Sequence, residues 1–127
     1  VISYCTLAQG ILTGKFNKET RFPKEDGRSR VPLFQSPYYE GALDVTEKLR
    51  PFAEKYGVTL AQLSIRWVMQ KNGITAPIVG AKNPAQVQDN VKASNFVISK
   101  EDFAAMDAIS REFAYNLPRF RTFFSAE

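Results

Sequence analysis

The 127-residue chain is 44% hydrophobic and 24% charged, a composition that is typical of a folded globular domain and excludes global disorder. Its net charge of +4 suits an anionic ligand, but no run of Lys or Arg is long enough to indicate nucleic acid. No apolar run approaches the roughly 18 residues of a membrane-spanning helix, so we expect neither a membrane nor a nucleic-acid partner.

The first residues, VISYC, are β-branched and aromatic and predict a strand over residues 1–5. TLAQGILTGKF follows, and its two glycines favour a loop or one short helical turn. Because an intact protein rarely starts inside a strand and this chain has no Met at position 1, we expect a fragment; the alternative is a processed mature chain. The single cysteine, Cys5, excludes an internal disulfide and favours a reducing compartment, which we take to be the cytoplasm.

Residues 17–37 are rich in Lys, Arg, Pro and Gly and have no apolar periodicity. A stretch of this length in a compact domain is typical of a functional lid or a mobile loop. We therefore expect it to be the least ordered part of the chain.

Two helices are predicted next. The first carries an apolar stripe at spacings of three and four residues, with Pro51 predicting a kink or a break and Gly57 the end. Thr59 and Gln62 form a capping box that starts the second helix. The stripe of the first helix consists of Ala42, Val45, Leu49, Phe52, Ala53 and Tyr56, and the buried face of the second of Leu60, Leu63, Ser64, Trp67 and Val68.

ITAPIVG, residues 74–80, predicts a second strand that is fully buried, because its apolar residues barely alternate with polar ones. Asn83 and Pro84 predict a helix start, with Gln86 at the capping-box position. A last helix is predicted from Ser99, with Asp102 in its first turn, and residues 114–127 are predicted to be a tail. The inward-facing residues of these two helices should be Val87, Val91 and Ala93, then Phe103, Met106, Ile109 and Phe113.

This order of elements, with a buried second strand, predicts a parallel pair of strands joined by a right-handed crossover. Two strands cannot form a stable parallel sheet alone, so the sheet or barrel must continue in neighbours that the sequence does not contain. We see no internal repeat. Arginines and aromatic residues alternate in LPRFRTFF, residues 117–124, but a solvated tail explains that pattern better than RNA or DNA binding.

A phosphate site is suggested where residues 78–90, IVGAKNPAQVQDN, leave the second strand. A helix N-terminus carries unpaired N–H groups and partial positive charge; Gly80 would admit a ligand to the backbone, and Lys82 adds a full charge. Gln86, Asp89 and Asn90 lie three and four residues apart and could contact a sugar or a base edge. On this stretch alone, a capped helix with an exposed lysine is the better explanation.

The connection after the first strand changes that balance. It also places a glycine, Gly10, just past a strand end, with Lys15 a few residues later. The carboxyl ends of parallel strands open on one face, where ligands bind, so the two connections should lie together. Tyr4 could stack on a flat ring there, although a strand aromatic usually packs in the core.

At these motifs the chain resembles the C-terminal part of an aldo-keto reductase. The family pattern S-P-L-x-x-G-x-L-[ST]-G-K is matched by CTLAQGILTGK from Leu7 onward. TLAQLSIRWVM matches [ST]-x-A-Q-L-A-[IL]-x-W-x-L, and IVGAKNPAQVQDN matches I-x-G-[AS]-[RKS]-[NST]-x-x-Q-[LV]-x-[DE]-N. ISKEDFAAMD mirrors the family helix L-[ST]-x-E-[DE]-x-x-x-[LM]-D, so the resemblance covers nearly the whole chain.

The resemblance implies an α/β fold: a C-terminal fragment of a (β/α)8 TIM barrel, mostly helical, with two short parallel strands equivalent to the seventh and eighth of the barrel. It also implies NADP as cofactor and a small aldehyde or ketone as substrate. Arg21 resembles a further phosphate-binding arginine. The implied cofactor-binding residues are Tyr4 at the nicotinamide, Cys5, Leu7, Ala8, Gln9, Gly10 and Lys15 around the pyrophosphate, Gly80 and Lys82 at the 2′-phosphate, and Gln86, Asp89 and Asn90 at the adenosine.

The resemblance also implies what is missing. The usual Ser-Pro after the seventh strand is Cys5-Thr6 here, so a serine contact is lost. The family's tyrosine, lysine, aspartate and histidine belong to its early strands, and this chain has no histidine, so we expect no catalytic residue, no metal site and no activity of the chain alone. Exposed sheet edges should bind the remaining N-terminal strands or promote self-association. The alternative function is a non-catalytic nucleotide-binding or assembly module of the same fold.

Overall fold

The computed structural model describes residues 1–117. Within that range lie two short strands and four α-helices, connected by 3-10 turns at Ala8–Thr13, Gly27–Arg30, Pro32–Phe34 and Lys92–Asn95. In chain order the regular elements are β1 (Ile2–Ser3), α1 (Tyr38–Tyr56), α2 (Leu60–Met69), β2 (Ala76–Pro77), α3 (Pro84–Val91) and α4 (Lys100–Tyr115). The prediction of a mostly helical unit with two short parallel strands is confirmed.

The two strands pair in parallel, with Ile2 opposite Ala76 and Ser3 opposite Pro77. Both strands are shorter than the predicted ranges 1–5 and 74–80, and the prediction that the second is fully buried is wrong, because Ile78 is 59% exposed. The helices cover only one face of this two-stranded sheet, so the side chains on its other face remain in solvent. The predicted parallel pairing is confirmed.

A buried threonine extends the pairing past the ends of the strands. The Thr6 hydroxyl donates to the Ile78 carbonyl at 2.9 Å, and Thr6 is only 7% exposed. The Ile78 amide in turn donates to the Ser3 carbonyl at 2.7 Å. The two connections that leave the strands, residues 4–14 and 78–83, therefore start side by side, and we name them the first and the second connection.

The main core lies between α1, α2 and α4 rather than against the sheet. Its buried side chains are Val45, Leu49, Ala53, Leu60, Leu63, Trp67, Ile98 and Met106. The alternative that Pro51 separates two shorter helices is wrong, because α1 is one continuous helix through it. Pro51 is exposed, and the burial of Leu49 and Ala53 beside it outweighs the loss of one backbone hydrogen bond.

Helix boundaries follow the predicted caps. Thr59 and Gln62 form the complete capping box of α2, Asn83 caps α3, Ser99 caps α4, and Gly57 ends α1 in a left-handed conformation. These signals are correct because each depends on hydrogen bonds between residues three or four positions apart.

Residues 17–37 contain no strand or α-helix, but their side chains are packed. They contain two of the 3-10 turns, and their aromatic rings pack with Phe16 and Tyr39. The centres of the Phe22 and Phe34 rings are 5.0 Å apart, and those of Phe16 and Phe22 are 5.2 Å apart, both edge to face. A second, smaller core around Ile11, Leu33 and Leu43 lies beneath these rings.

Two further expectations differ from the structure. Val87 and Val91 do not face inward but are 51% and 62% exposed, whereas Ala93 is buried as predicted. Helix α4 continues to Tyr115, past the predicted start of the tail at 114, and residues 118–127, with most of LPRFRTFF, lie outside the described residues. Within residues 1–117, no helix combines the length and the apolar character needed to cross a membrane.

Helix α4 is joined to α1 through one carboxylate. Asp102 accepts hydrogen bonds from Lys55 Nζ at 2.7 Å and from the Tyr56 hydroxyl at 2.6 Å, and that hydroxyl accepts the Ser99 amide at 2.8 Å. The hydrogen bonds from Lys55 and Tyr56 lower the pKa of Asp102 below its ordinary value.

We predict that Asp102→Asn lowers the melting temperature at pH 7, and that this difference from the wild type disappears in acid. A carboxyl group with a lowered pKa stabilises the folded state fully above its unfolded value of 3.8 and loses that effect as the pH falls through its folded-state pKa. Thermal unfolding between pH 7 and pH 2 measures this. Glu101→Gln, an exposed neighbour, is the control, and an Asp102→Asn difference that is independent of pH would contradict the account.

Candidate functional site

The first connection forms one wall of a cleft of about 260 Å³, which we name the first cleft. The predicted site residues that line it are Tyr4, Cys5, Ala8 and Gln9. The opposite wall comes from residues 31–34, through Val31, Leu33 and Phe34. Tyr4 is 65% exposed, so its ring is accessible to a ligand and is not a core aromatic.

The backbone of the first connection adopts unusual conformations in succession. Cys5, Ala8 and Gln9 have positive φ values of 55°, 47° and 52°, and Gly10 has a φ of 105°. Left-handed conformations are rare for residues other than glycine and cluster at functional sites. Two backbone hydrogen bonds close the turns, from Ala8 to Cys5 at 2.7 Å and from Gly10 to Leu7 at 2.9 Å.

Glycine at position 10 suits the positive φ there and also lies close to a neighbouring ring. A Cβ atom at this position would lie 3.1 Å from the ring of Phe16. Lys15, in contrast, is exposed and does not line the first cleft. The structure thus brings four predicted residues to one cleft, with Leu7 and Gly10 shaping the same turn.

Hydrogen bonds to polar side chains of α3 and its N-cap fix the backbone of the second connection. Asn83 Oδ1 accepts the Gln86 amide at 2.9 Å, and Gln86 Oε1 accepts the Lys82 amide at 2.7 Å. A Cβ atom at Gly80 would meet no other atom within 4 Å, so the backbone there is open to approach. Lys82 is exposed, and residues 1–117 provide no ion-pair partner for it.

The polar face of α3 has divided roles. Asp89 Oδ1 accepts the Gln62 amide at 2.9 Å and the Lys92 ammonium at 3.2 Å, and Gln62 is buried. Asp89 therefore fastens α3 to α2. Asn90 instead lines a second cleft, of about 380 Å³, between α2, β2 and α3, where most of the other lining side chains are apolar, among them Ile65 and Val91.

A charge interaction links residues 17–37 with the second connection, between Asp26 and Lys82. Hydrogen bonds from Arg28 lower the pKa of Asp26 from 3.8 to about 2, and the positive charge of Lys82 adds a smaller effect. Arg21, the other arginine candidate, donates to the carbonyls of Lys18 and Thr20 at 2.6 and 3.0 Å. Arg21 is thus bound within its own turn.

Sequence reasoning missed two features of this region. Thr6 was regarded only as a departure from Ser-Pro, yet its hydroxyl joins the two connections. The wall at residues 31–34 was hidden in a stretch without periodicity, although the apolar VPLF that ends it was a usable signal. Residues 1–117 contain no cluster of three or more His, Cys, Asp or Glu residues suited to a metal ion.

Comparison with known proteins assigns the chain to a family. The sequence profile described as "Aldo/keto reductase family" matches residues 1–111. The "Probable voltage-gated potassium channel subunit beta" of Arabidopsis thaliana is 34% identical over 100 residues, which are 75% of this chain and 30% of that protein. The "NADH-specific methylglyoxal reductase" of Escherichia coli (strain K12) is 29% identical over 116 residues, 91% of this chain and 34% of that protein.

A solved structure agrees with this assignment. The glycerol dehydrogenase AKR11B4 from Gluconobacter oxydans matches with a TM-score of 0.83 and 34% identity, over 98% of this chain and 38% of that one. The chain spans about a third of the length of the curated relatives it matches. Its fold is accordingly a part of the (β/α)8 barrel, as predicted. The chain belongs to the aldo/keto reductase family.

Proposed function

We propose that the chain is the cofactor-binding part of an NADP-dependent oxidoreductase that reduces aldehydes or ketones. This proposal rests on one observation: the two connections lie side by side at the carboxyl ends of the parallel strands, where the Thr6–Ile78 hydrogen bond joins them. Ligands of α/β folds bind at the carboxyl ends of the strands. Membership of a family with reductase members supports the reaction class.

The residues present fit a dinucleotide. The Tyr4 ring at the first cleft would stack on the nicotinamide, and the turn around Gly10 would surround the pyrophosphate. The unobstructed backbone at Gly80 and the exposed Lys82 would receive a 2′-phosphate. Bound NADPH would supply the hydride; the residues of this chain would bind and orient it.

Four other predicted residues take supporting places in this proposal. Gln86 fixes the backbone of Lys82, and Asp89 holds α3 in position through Gln62. Asn90, which lines the second cleft, would contact the adenosine. Lys15 would contribute positive charge near the pyrophosphate rather than a direct contact within the cleft.

The choice between NADP and NAD depends on Lys82 in this account. One relative is NADH-specific by its name, so membership of the family does not decide the cofactor. A lysine without an ion-pair partner favours the ligand that carries the additional phosphate, because a charge-assisted hydrogen bond is stronger than a neutral one.

We predict that the chain binds NADPH more tightly than NADH, and that Lys82→Ala removes the difference by weakening NADPH binding by about tenfold, or about 1.4 kcal/mol. Titration followed by nucleotide fluorescence measures both dissociation constants. Lys100→Ala, which removes an exposed lysine at the start of α4, is the matched control. An unchanged preference in Lys82→Ala would refute the role of this residue.

The uncovered side of the sheet points to a macromolecular partner. Ile2 and Ile78 lie on the same side of the sheet, because Ile2 is opposite Ala76, and they are 62% and 59% exposed. We propose that this apolar face pairs with the N-terminal barrel strands of an aldo/keto reductase, or with another copy in their absence. Those strands would also supply the catalytic residues, so the chain alone would not reduce carbonyls, and its single free cysteine suits the cytoplasm.

We predict that the isolated chain sediments as a concentration-dependent oligomer, because association would cover Ile2 and Ile78. Analytical ultracentrifugation of the wild type and of Ile78→Lys measures this. The variant should shift the distribution towards monomer, whereas Lys100→Ala should not. A compact monomer with cooperative unfolding at all concentrations would contradict the proposal.

A second candidate is a non-catalytic nucleotide-binding or assembly module. The relative from Arabidopsis thaliana favours it, since that protein is named as a probable subunit of a voltage-gated potassium channel. The coding sequence upstream of Val1 separates the two candidates. An open frame that encodes the missing tyrosine, lysine, aspartate and histidine supports the enzyme, and a start codon at Val1 supports the module.

A further inference from the structure

We propose that Arg28 is a positioning residue that keeps the far wall of the first cleft in place before any ligand binds. The proposal rests on the proposed function, nucleotide binding at this cleft. It concerns a residue that no motif in the sequence indicated.

Arg28 is held on two sides. Its guanidinium binds Asp26 in a bidentate manner, with Nε to Oδ1 at 3.0 Å and Nη2 to Oδ2 at 2.5 Å. Its central carbon lies 4.5 Å from the centre of the Phe22 ring and 5.5 Å from that of Phe16. Only 30% of the side chain is exposed. A planar cation is needed for this combination, because lysine can neither form the fork nor stack.

The two rings carry these contacts to both walls of the cleft. Phe22 packs edge to face on Phe34, which is 9% exposed and lines the first cleft. Phe16 lies against Gly10, at the turn that forms the opposite wall. One guanidinium thus connects the wall at residues 31–34 with the first connection through two aromatic side chains.

The wall needs such support because its backbone provides little. Residues 17–37 contain no strand or α-helix, only short 3-10 turns of four and three residues. Such turns have poor hydrogen-bond geometry and little stability of their own. Without Arg28, the carboxylate of Asp26 and the two rings lose their shared partner, and the wall should sample open positions.

The consequence for binding is a population effect. If only the closed wall completes the cleft, the apparent dissociation constant rises in proportion to the loss of the closed fraction. A decrease of that fraction to about a tenth would weaken NADPH binding about tenfold. The effect should appear equally for NADH, which distinguishes it from the effect of Lys82.

The test compares Arg28→Met, Arg28→Lys and the control Arg30→Met, an exposed arginine in the same turn, in the full 127-residue chain. Titration with NADPH and NADH gives dissociation constants, and hydrogen exchange reports opening of residues 16–34. Fluorescence of the single Trp67, buried in the helical core, shows whether the rest of the chain remains folded.

We expect Arg28→Met to raise the dissociation constants of NADPH and NADH about tenfold and to increase hydrogen exchange over residues 16–34. Arg28→Lys should give intermediate values, and Arg30→Met should match the wild type. Unfolding of the helical core, followed by Trp67 fluorescence, should be the same in all variants. If Arg28→Met increased hydrogen exchange but left both nucleotide affinities unchanged, the role of Arg28 would be refuted and the proposed function would stand. The same holds if Arg28→Met changed neither exchange nor affinity. Absence of nucleotide binding by the wild type would overturn the proposed function and this role with it.

Discussion

The parallel pairing of β1 with β2, continued by the Thr6–Ile78 hydrogen bond, is the constraint on which the rest of the structure depends. Each strand has only two residues, yet the pairing fixes the direction in which both connections leave the sheet. If the strands were antiparallel, the first and second connections would lie at opposite ends. Every role suggested for Gly10 and Lys82 follows from this one arrangement.

A two-residue pair cannot hold itself together, and the helical core supports it. Helix α2 contacts the first connection directly: a Cβ atom at Gly14 would lie 2.6 Å from the Leu60 side chain, so only glycine permits this approach. Gly14 also has a φ of 71°, which few other residues adopt. Through Leu60 and Leu63 the same helix belongs to the main core, which α4 completes. The geometry of the connections therefore depends on packing that is remote from the sheet.

The features predictable from the sequence were those decided within a few residues. Asn83, Thr59 and Ser99 cap their helices because each accepts an amide three positions along the chain. The expected break at Pro51 does not occur, because the cost of proline is local whereas the burial that outweighs it comes from packing against α2 and α4. The burial of Ile78 was misjudged because the sheet has only two strands within residues 1–117, and no element covers this side chain there.

In the candidate site, too, some features were predictable from short sequence motifs and others depend on residues that are distant in the sequence. Tyr4, Cys5, Ala8 and Gln9 were placed together by the family resemblance, and the structure brings them to one cleft. The hydrogen bond that commits Asp89 to α2 comes from Gln62, 27 residues away, which no local pattern reveals. The Arg28 contacts could not be foreseen because Phe16, Phe22 and Phe34 follow no helical or strand period.

The central claim is that both connections bind one nucleotide at the carboxyl ends of the two strands. Amide hydrogen exchange of the full chain, with and without NADPH and resolved to peptides covering residues 4–14 and 78–92, tests it most directly. The account predicts that NADPH slows exchange in both segments together, with the same dependence on nucleotide concentration. Slower exchange in only one segment, or at another surface, would contradict it.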